Sequence, residues 1–194
     1  AGSTTTLTSA TASGVWTSSN TATATVNAST GVVTGIAAGS TTITYTVTNG
    51  SGCISSVTTT VTINALPVVA SITGSTTVCA GSTTTLTSAT ALGVWTSSNT
   101  AVATVSASGV VTGVSSGTST ITYTVTTNGC STSVSSVITV NPLPVLAAIG
   151  GTTSACIGST TTLTNTTSGG TWTSATPAVA TVNSITGQVS GLSA

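Results

Sequence analysis

The sequence predicts an all-β chain: tandem two-sheet antiparallel sandwiches of about seven strands each, set end to end. Three observations carry this. Apolar residues alternate with Ser and Thr at period two, the spacing of a strand with one buried face. β-Branched residues dominate, with 53 Thr among 194 residues, and they favour extended backbone. The pattern also recurs: Trp16, Trp95 and Trp172 are 79 and 77 residues apart, Tyr45 and Tyr123 are 78 apart, and Cys53 and Cys130 are 77 apart, as are Cys79 and Cys156. A unit of that length is a small domain, too long for a solenoid rung.

The middle repeat justifies seven strands in order. A strand over 75–79 ends at the turn "AGS". The next, over 83–89, leads to the third at 93–97, which carries Trp95 and stops at "SSN". A fourth over 102–106 ends at "SASG", and a fifth over 110–114 at "SSG". The sixth, 118–126, puts Ile121, Tyr123 and Val125 on one face and Thr120, Thr122 and Thr124 on the other, then turns at "TNG". The seventh, 131–140, alternates Val134, Ile138 and Val140 with Ser and Thr. The first repeat repeats the sixth strand as "TTITYTVT", with Ile43, Tyr45 and Val47 on one face. No helical periodicity occurs. Trp16, Trp95 and Trp172, with Tyr45 and Tyr123, are the expected core anchors between sheets, in preference to sugar-stacking platforms.

Landmarks divide the chain into 1–64, which lacks a first strand, 65–141, which is complete, and 142–194, which lacks the last strands. The joints "NALPVV" and "NPLPVL" are short, so neighbouring sandwiches are expected to abut. An incomplete sandwich leaves an unpaired edge, so flanking chain is expected to complete both ends.

Composition excludes several functions. There is no Asp, Glu, Lys, Arg or His. General acid–base catalysis and a base-activated serine or cysteine therefore have no residues to work with, so the segment is not expected to be an enzyme. Calcium sites need carboxylates, nucleic-acid binding rests on Lys and Arg, and Lys–Asn isopeptide cross-links need Lys. No cofactor and no metal site is expected. No run reaches the roughly 20 apolar residues of a membrane-spanning helix. Positive mean hydropathy and regular Val, Ile and Leu argue against disorder. Ser and Thr together make 85 residues, candidates for O-glycans on a surface without charge; regular Thr rows are read as solvated strand faces rather than ice-binding arrays.

The ordered segments "VCAGSTTTLTSAT", "GVWTSSNTAVATVSASGVVTG" and "TSTITYTV" resemble the bacterial immunoglobulin-like domain, group 2, and the likeness covers most of each repeat. The resemblance implies an immunoglobulin-like β-sandwich of extracellular repeat proteins and surface adhesins. The paired cysteines then read as disulfide candidates in a secreted chain: Cys53, Cys79, Cys130 and Cys156. They are not at the cross-core positions of the immunoglobulin pattern. Cys79 ends the first strand and Cys130 begins the last, at opposite poles roughly 33 Å apart, whereas bridged Cα atoms sit about 5.5–6 Å apart. Three arrangements stay open: bridges between neighbouring repeats, pairing Cys130 with a cysteine ahead of residue 1 and Cys79 with one beyond residue 194; an intradomain bridge; or free and intermolecular thiols.

These readings converge on a structural repeat segment of an extracellular filament or surface fibre, whose partners are other copies of itself or flanking repeats, with no nucleic acid and no membrane insertion. The alternatives are a spacer stalk of an adhesin and an accessory module of a secreted enzyme.

Overall fold

The computed structural model describes residues 2–194, and all its regular elements are strands. The first repeat contributes β1 (Thr4–Thr6), β2 (Val15–Ser18), β3 (Ala24–Val26), β4 (Val32–Gly35), β5 (Gly39–Thr48) and β6 (Ile54–Ile63). They form two sheets, β1-β4-β3 and β2-β5-β6, with antiparallel neighbours throughout. Period-two alternation turns one face of β5 inward, burying Thr41, Ile43 and Tyr45.

The second repeat has seven strands: β7 (Thr77–Cys79), β8 (Thr83–Thr85), β9 (Val94–Ser97), β10 (Ala103–Val105), β11 (Val110–Gly113), β12 (Gly117–Thr127) and β13 (Cys130–Asn141). The sheets are β10-β11-β8 and β7-β13-β12-β9. One strand departs from the antiparallel expectation. β7 runs parallel to β13, with Thr77 opposite Thr139, Val78 opposite Val140 and Cys79 opposite Asn141. Tight hairpins force antiparallel neighbours; β7 instead crosses to the other sheet through the turn at Gly81, and so joins the β13 edge without a hairpin.

The third repeat forms one sheet in the order β14-β15-β17-β16, from β14 (Gly150–Gly151), β15 (Thr160–Thr164), β16 (Ala180–Val182) and β17 (Gln188–Gly191). Trp172 lies outside these strands. In the other repeats the Trp strand pairs with the Tyr strand, and residues 142–194 contain no Tyr.

The chain divides into two compact units, Ala1–Asn141 and Pro142–Ala194. The first holds both buried clusters. One gathers Trp16, Ala24, Val33, Ile43 and Tyr45. The other gathers Val78, Leu86, Ala103, Val111, Ile121, Ile138 and Val140. At roughly 25 cal/mol per Å2 of apolar surface, these clusters are the main stabilising term in a chain without ion pairs. Among the described residues no helix is long and apolar enough to cross a membrane.

Candidate functional site: the repeat core and the repeat joint

The aromatic anchors form the same unit twice. Trp16 and Tyr45 face each other across β2 and β5, with ring centroids 4.5 Å apart and planes tilted by 42°. Trp95 and Tyr123 match them at 4.5 Å and 41°. Each tyrosine hydroxyl has two partners. Tyr45 donates to the Thr11 carbonyl at 2.7 Å and accepts from the Gly14 amide at 2.8 Å. Tyr123 donates to the Thr90 carbonyl and accepts from the Gly93 amide, both at 2.8 Å. The ring lies flat against that glycine: a Cβ at Gly14 would sit 2.3 Å from the Tyr45 ring, and one at Gly93 2.2 Å from the Tyr123 ring. The "G-V-W" phrase is thus a packing requirement. Trp172 lacks this partner and lines an open cavity of about 530 Å3 with Leu146, Ile149 and Leu163.

The "SSN" phrase does more than turn the chain. Asn20 and Asn99 accept the turn amides of Ala22 and Ala101, each at 3.1 Å, as turn chemistry predicts. The preceding serines point inward. Ser97 Oγ donates to the Ala103 carbonyl at 2.6 Å and shares a 2.9 Å hydrogen bond with Ser119 Oγ, which also accepts from the Asn99 amide. Ser18, Thr41, Ala24 and Asn20 repeat this arrangement. Thr41 and Ser119 are buried, and among the described residues no buried side-chain polar atom lacks a partner. Serines this abundant gave no sign in the sequence of which ones would be buried.

The four cysteines are free thiols; Cys53, Cys79 and Cys156 are exposed and Cys130 is half-buried. Cys79 pairs with Asn141 at the end of β13, while Cys130 starts that strand opposite Thr127. Twelve residues of extended chain separate the two poles by about 36 Å. That is far beyond the reach of a disulfide, so the structure places the two cysteines of this repeat apart.

Cys130 instead meets the first repeat. Its Sγ lies 3.9 Å from the carbonyl oxygen of Asn64, just past β6. The Asn64 side-chain amide donates to the Asn128 carbonyl at 3.0 Å. Asn128 has a φ of 50° in the tight turn that joins β12 and β13. The hairpin tip of one repeat therefore rests on the strand end of the repeat before it. Asn64 and Asn128 were not singled out in the sequence; only the joint geometry reveals them. Metal-ligating groups form no cluster among the described residues.

The profile of the bacterial Ig-like domain (group 2) matches residues 2–57 and 57–136. The chain belongs to this family. Ig-like domains of this group are a non-catalytic domain type. Among solved structures, the surface layer protein SbsC, domains 1–6, is 21% identical with a TM-score of 0.26; the match covers 92% of this chain and 24% of that one. SbsC domains 4 and 5 are 28% identical with a TM-score of 0.27, over 68% of this chain and 70% of that one. Protocadherin gamma B2 extracellular cadherin domains 3–6 are 11% identical with a TM-score of 0.29, over 100% of this chain and 60% of that one. The chain thus spans about a quarter of the first of these structures. No curated protein matches the sequence.

Proposed function

We propose that this array of bacterial Ig-like domains is a structural segment of an extracellular filament or surface fibre, working through its repeats rather than through a binding or catalytic site. The joint carries the reading. The Asn64–Asn128 hydrogen bond and the Cys130 contact seat one repeat on the next, so that two repeats make one compact unit. Repetition supplies length, and a seated joint supplies stiffness.

The surface supports the same reading. Without charges, its strands are linked across neighbours by hydroxyl pairs such as Ser40–Thr62, Thr124–Ser133 and Thr126–Ser131, at 2.8 to 3.1 Å. Such pairs do not weaken with salt as ion pairs do. Large apolar side chains also stand exposed, with Val68, Val145 and Leu92 at 90% or more. With no net charge to hold copies apart, the partners are other copies of the chain or flanking repeats, and the site of action is outside the cell. Ser and Thr hydroxyls are the available positions for glycans.

Electron microscopy of the native material tests this. Ordered fibres with an axial repeat near one domain length are expected. Isolated single-chain threads carrying a distinct terminal head would replace the filament with an adhesin stalk.

A further inference from the structure

β13 is paired with β12 along its whole length but is paired on its other side only at one end. There β7 lies against Thr139–Asn141: the Thr139 amide donates to the Thr76 carbonyl, and the Asn141 carbonyl accepts the Ala80 amide, each at 2.9 Å. The backbone groups of successive strand residues point to alternate sides. Ser131, Ser133, Ser135 and Val137 share the parity of Thr139 and Asn141, so their N–H and C=O groups point away from β12, along the edge that β7 occupies further on. Among the described residues no strand pairs with that stretch. It forms a slot, bounded at one end by the hairpin turn at Asn128–Gly129 and at the other by β7. Natural sheets guard such an edge with Lys, Pro or a bulge. Here residues 131–137 are Ser, Thr and Val only, the register with β12 runs without a bulge, and the chain has no charged side chain.

We propose that this slot receives the same edge of a second copy of the chain, antiparallel about a two-fold axis at Val134, so that two four-stranded sheets join into one. The occupant is set by self-complementarity. A slot closed by β7 takes a strand that stops where β7 begins, and β13 itself starts from a hairpin turn at the matching distance. With Ser131 opposite Val137 of the other copy and Ser133 opposite Ser135, each outward N–H meets an outward C=O. Val134 lies on the inner face, opposite the buried Tyr123, and is itself half-buried. At the axis it meets its own counterpart as a non-hydrogen-bonded pair, the closer kind, with Cα atoms about 4.5 Å apart.

The antiparallel sense keeps the inner faces of both sheets on one side, whereas parallel pairing of the same two edges would turn one sheet over. Neither edge carries charge, so the pairing sets no like charges opposite each other and leaves none unpaired. The inference rests on the structural reading above and names the surface through which copies associate.

Residue-resolved amide exchange by NMR, on the reduced 194-residue chain across a concentration series, tests it. As concentration rises, the amides of Ser131, Ser133, Ser135 and Val137 are expected to slow by about tenfold or more, while those of Thr132, Val134 and Ser136, which point into the β12 ladder, change little. That alternation is particular to edge pairing; a copy packed on the sheet face would slow neighbouring amides alike. Ser133 and Ser135 are exposed. Ser133→Lys combined with Ser135→Lys sets like charges opposite each other across the axis and is expected to remove the slowing. Mixing that variant with one carrying Ser133→Glu and Ser135→Glu is expected to restore it, which shows that both variants fold. Outward amides that exchange equally at every concentration, slowing without alternation, slowing that survives the Lys pair, or a mixture that restores nothing would overturn the proposal. Ordered fibres by microscopy with those amides still exchanging freely would leave the structural reading standing and remove only this edge.

Discussion

The first two repeats carry nearly the same sequence and bury it differently. Ile138 and Val140 of β13 are 0% and 2% exposed. Their counterparts on β6, Val61 and Ile63, are only half-buried. Leu86 is 1% exposed, while its counterpart Leu7 is half-buried. In the second repeat a leading segment covers these positions. Ile72 packs on the core, Ala70 is held by Thr90 and Ser88, and β7 closes the edge of β13. Equivalent strands thus differ in burial where one short strand is laid beside one of them. Closing a sandwich takes few residues, but they cover apolar positions on both of its layers.

The largest effect should separate the repeats. Ile138→Ala is expected to destabilise the second repeat by about 3–4 kcal/mol, and Val61→Ala the first by only about 1 kcal/mol, because Val61 is the smaller side chain and is already partly exposed. Urea unfolding resolved by hydrogen exchange in each repeat measures both; equal losses would show that β7 contributes little. A feature the repeats share should respond alike in each. Gly93→Ala and Gly14→Ala push a methyl into a tyrosine ring and are each expected to cost about 2–3 kcal/mol. The same exchange experiment, with near-ultraviolet circular dichroism for the Trp–Tyr pairs, checks that symmetry.

Val78→Ala should convert the second repeat towards the first. A loss of about 1–2 kcal/mol is expected, with faster amide exchange confined to the end of β13. Exchange spreading evenly through the repeat would contradict a local role for β7. The smallest effect concerns both repeats together. No carboxylate, imidazole, amine or guanidinium side chain is present to titrate or to be screened. Stability in each repeat is expected to change by less than about 0.5 kcal/mol from about pH 4 to about pH 9, and as little between low and molar salt with a weakly interacting anion. Thermal melts across that grid decide it, and acid unfolding would refute it.

The sequence by itself determined the all-β class, the domain-length repeat, the strands of the middle repeat to within a few residues, and the Trp16–Tyr45 and Trp95–Tyr123 positions at the core, whereas Trp172, also expected there, lines an open cavity. Period-two alternation and internal repetition are local properties, written in neighbouring residues and in equal spacings. The absence of ionisable side chains was equally legible and removed whole classes of chemistry. What it could not rank was its own hydroxyls. Ser119 and Thr41 are buried hubs, whereas Thr124 and Ser133 pair at the surface, and all are Ser or Thr in similar strand contexts.

Only the tertiary structure decided those roles, because burial depends on which strand lies opposite. It also decided the parallel course of β7, which no local pattern encodes, since the partner is some 60 residues away along the chain. Above all it decided the cysteines. The strand order already set Cys79 and Cys130 at opposite poles of one repeat; the fold adds that Cys130 stands beside Asn64 of the preceding repeat. A thiol's partner is fixed by proximity in space, and proximity across a joint arises only once two repeats have packed.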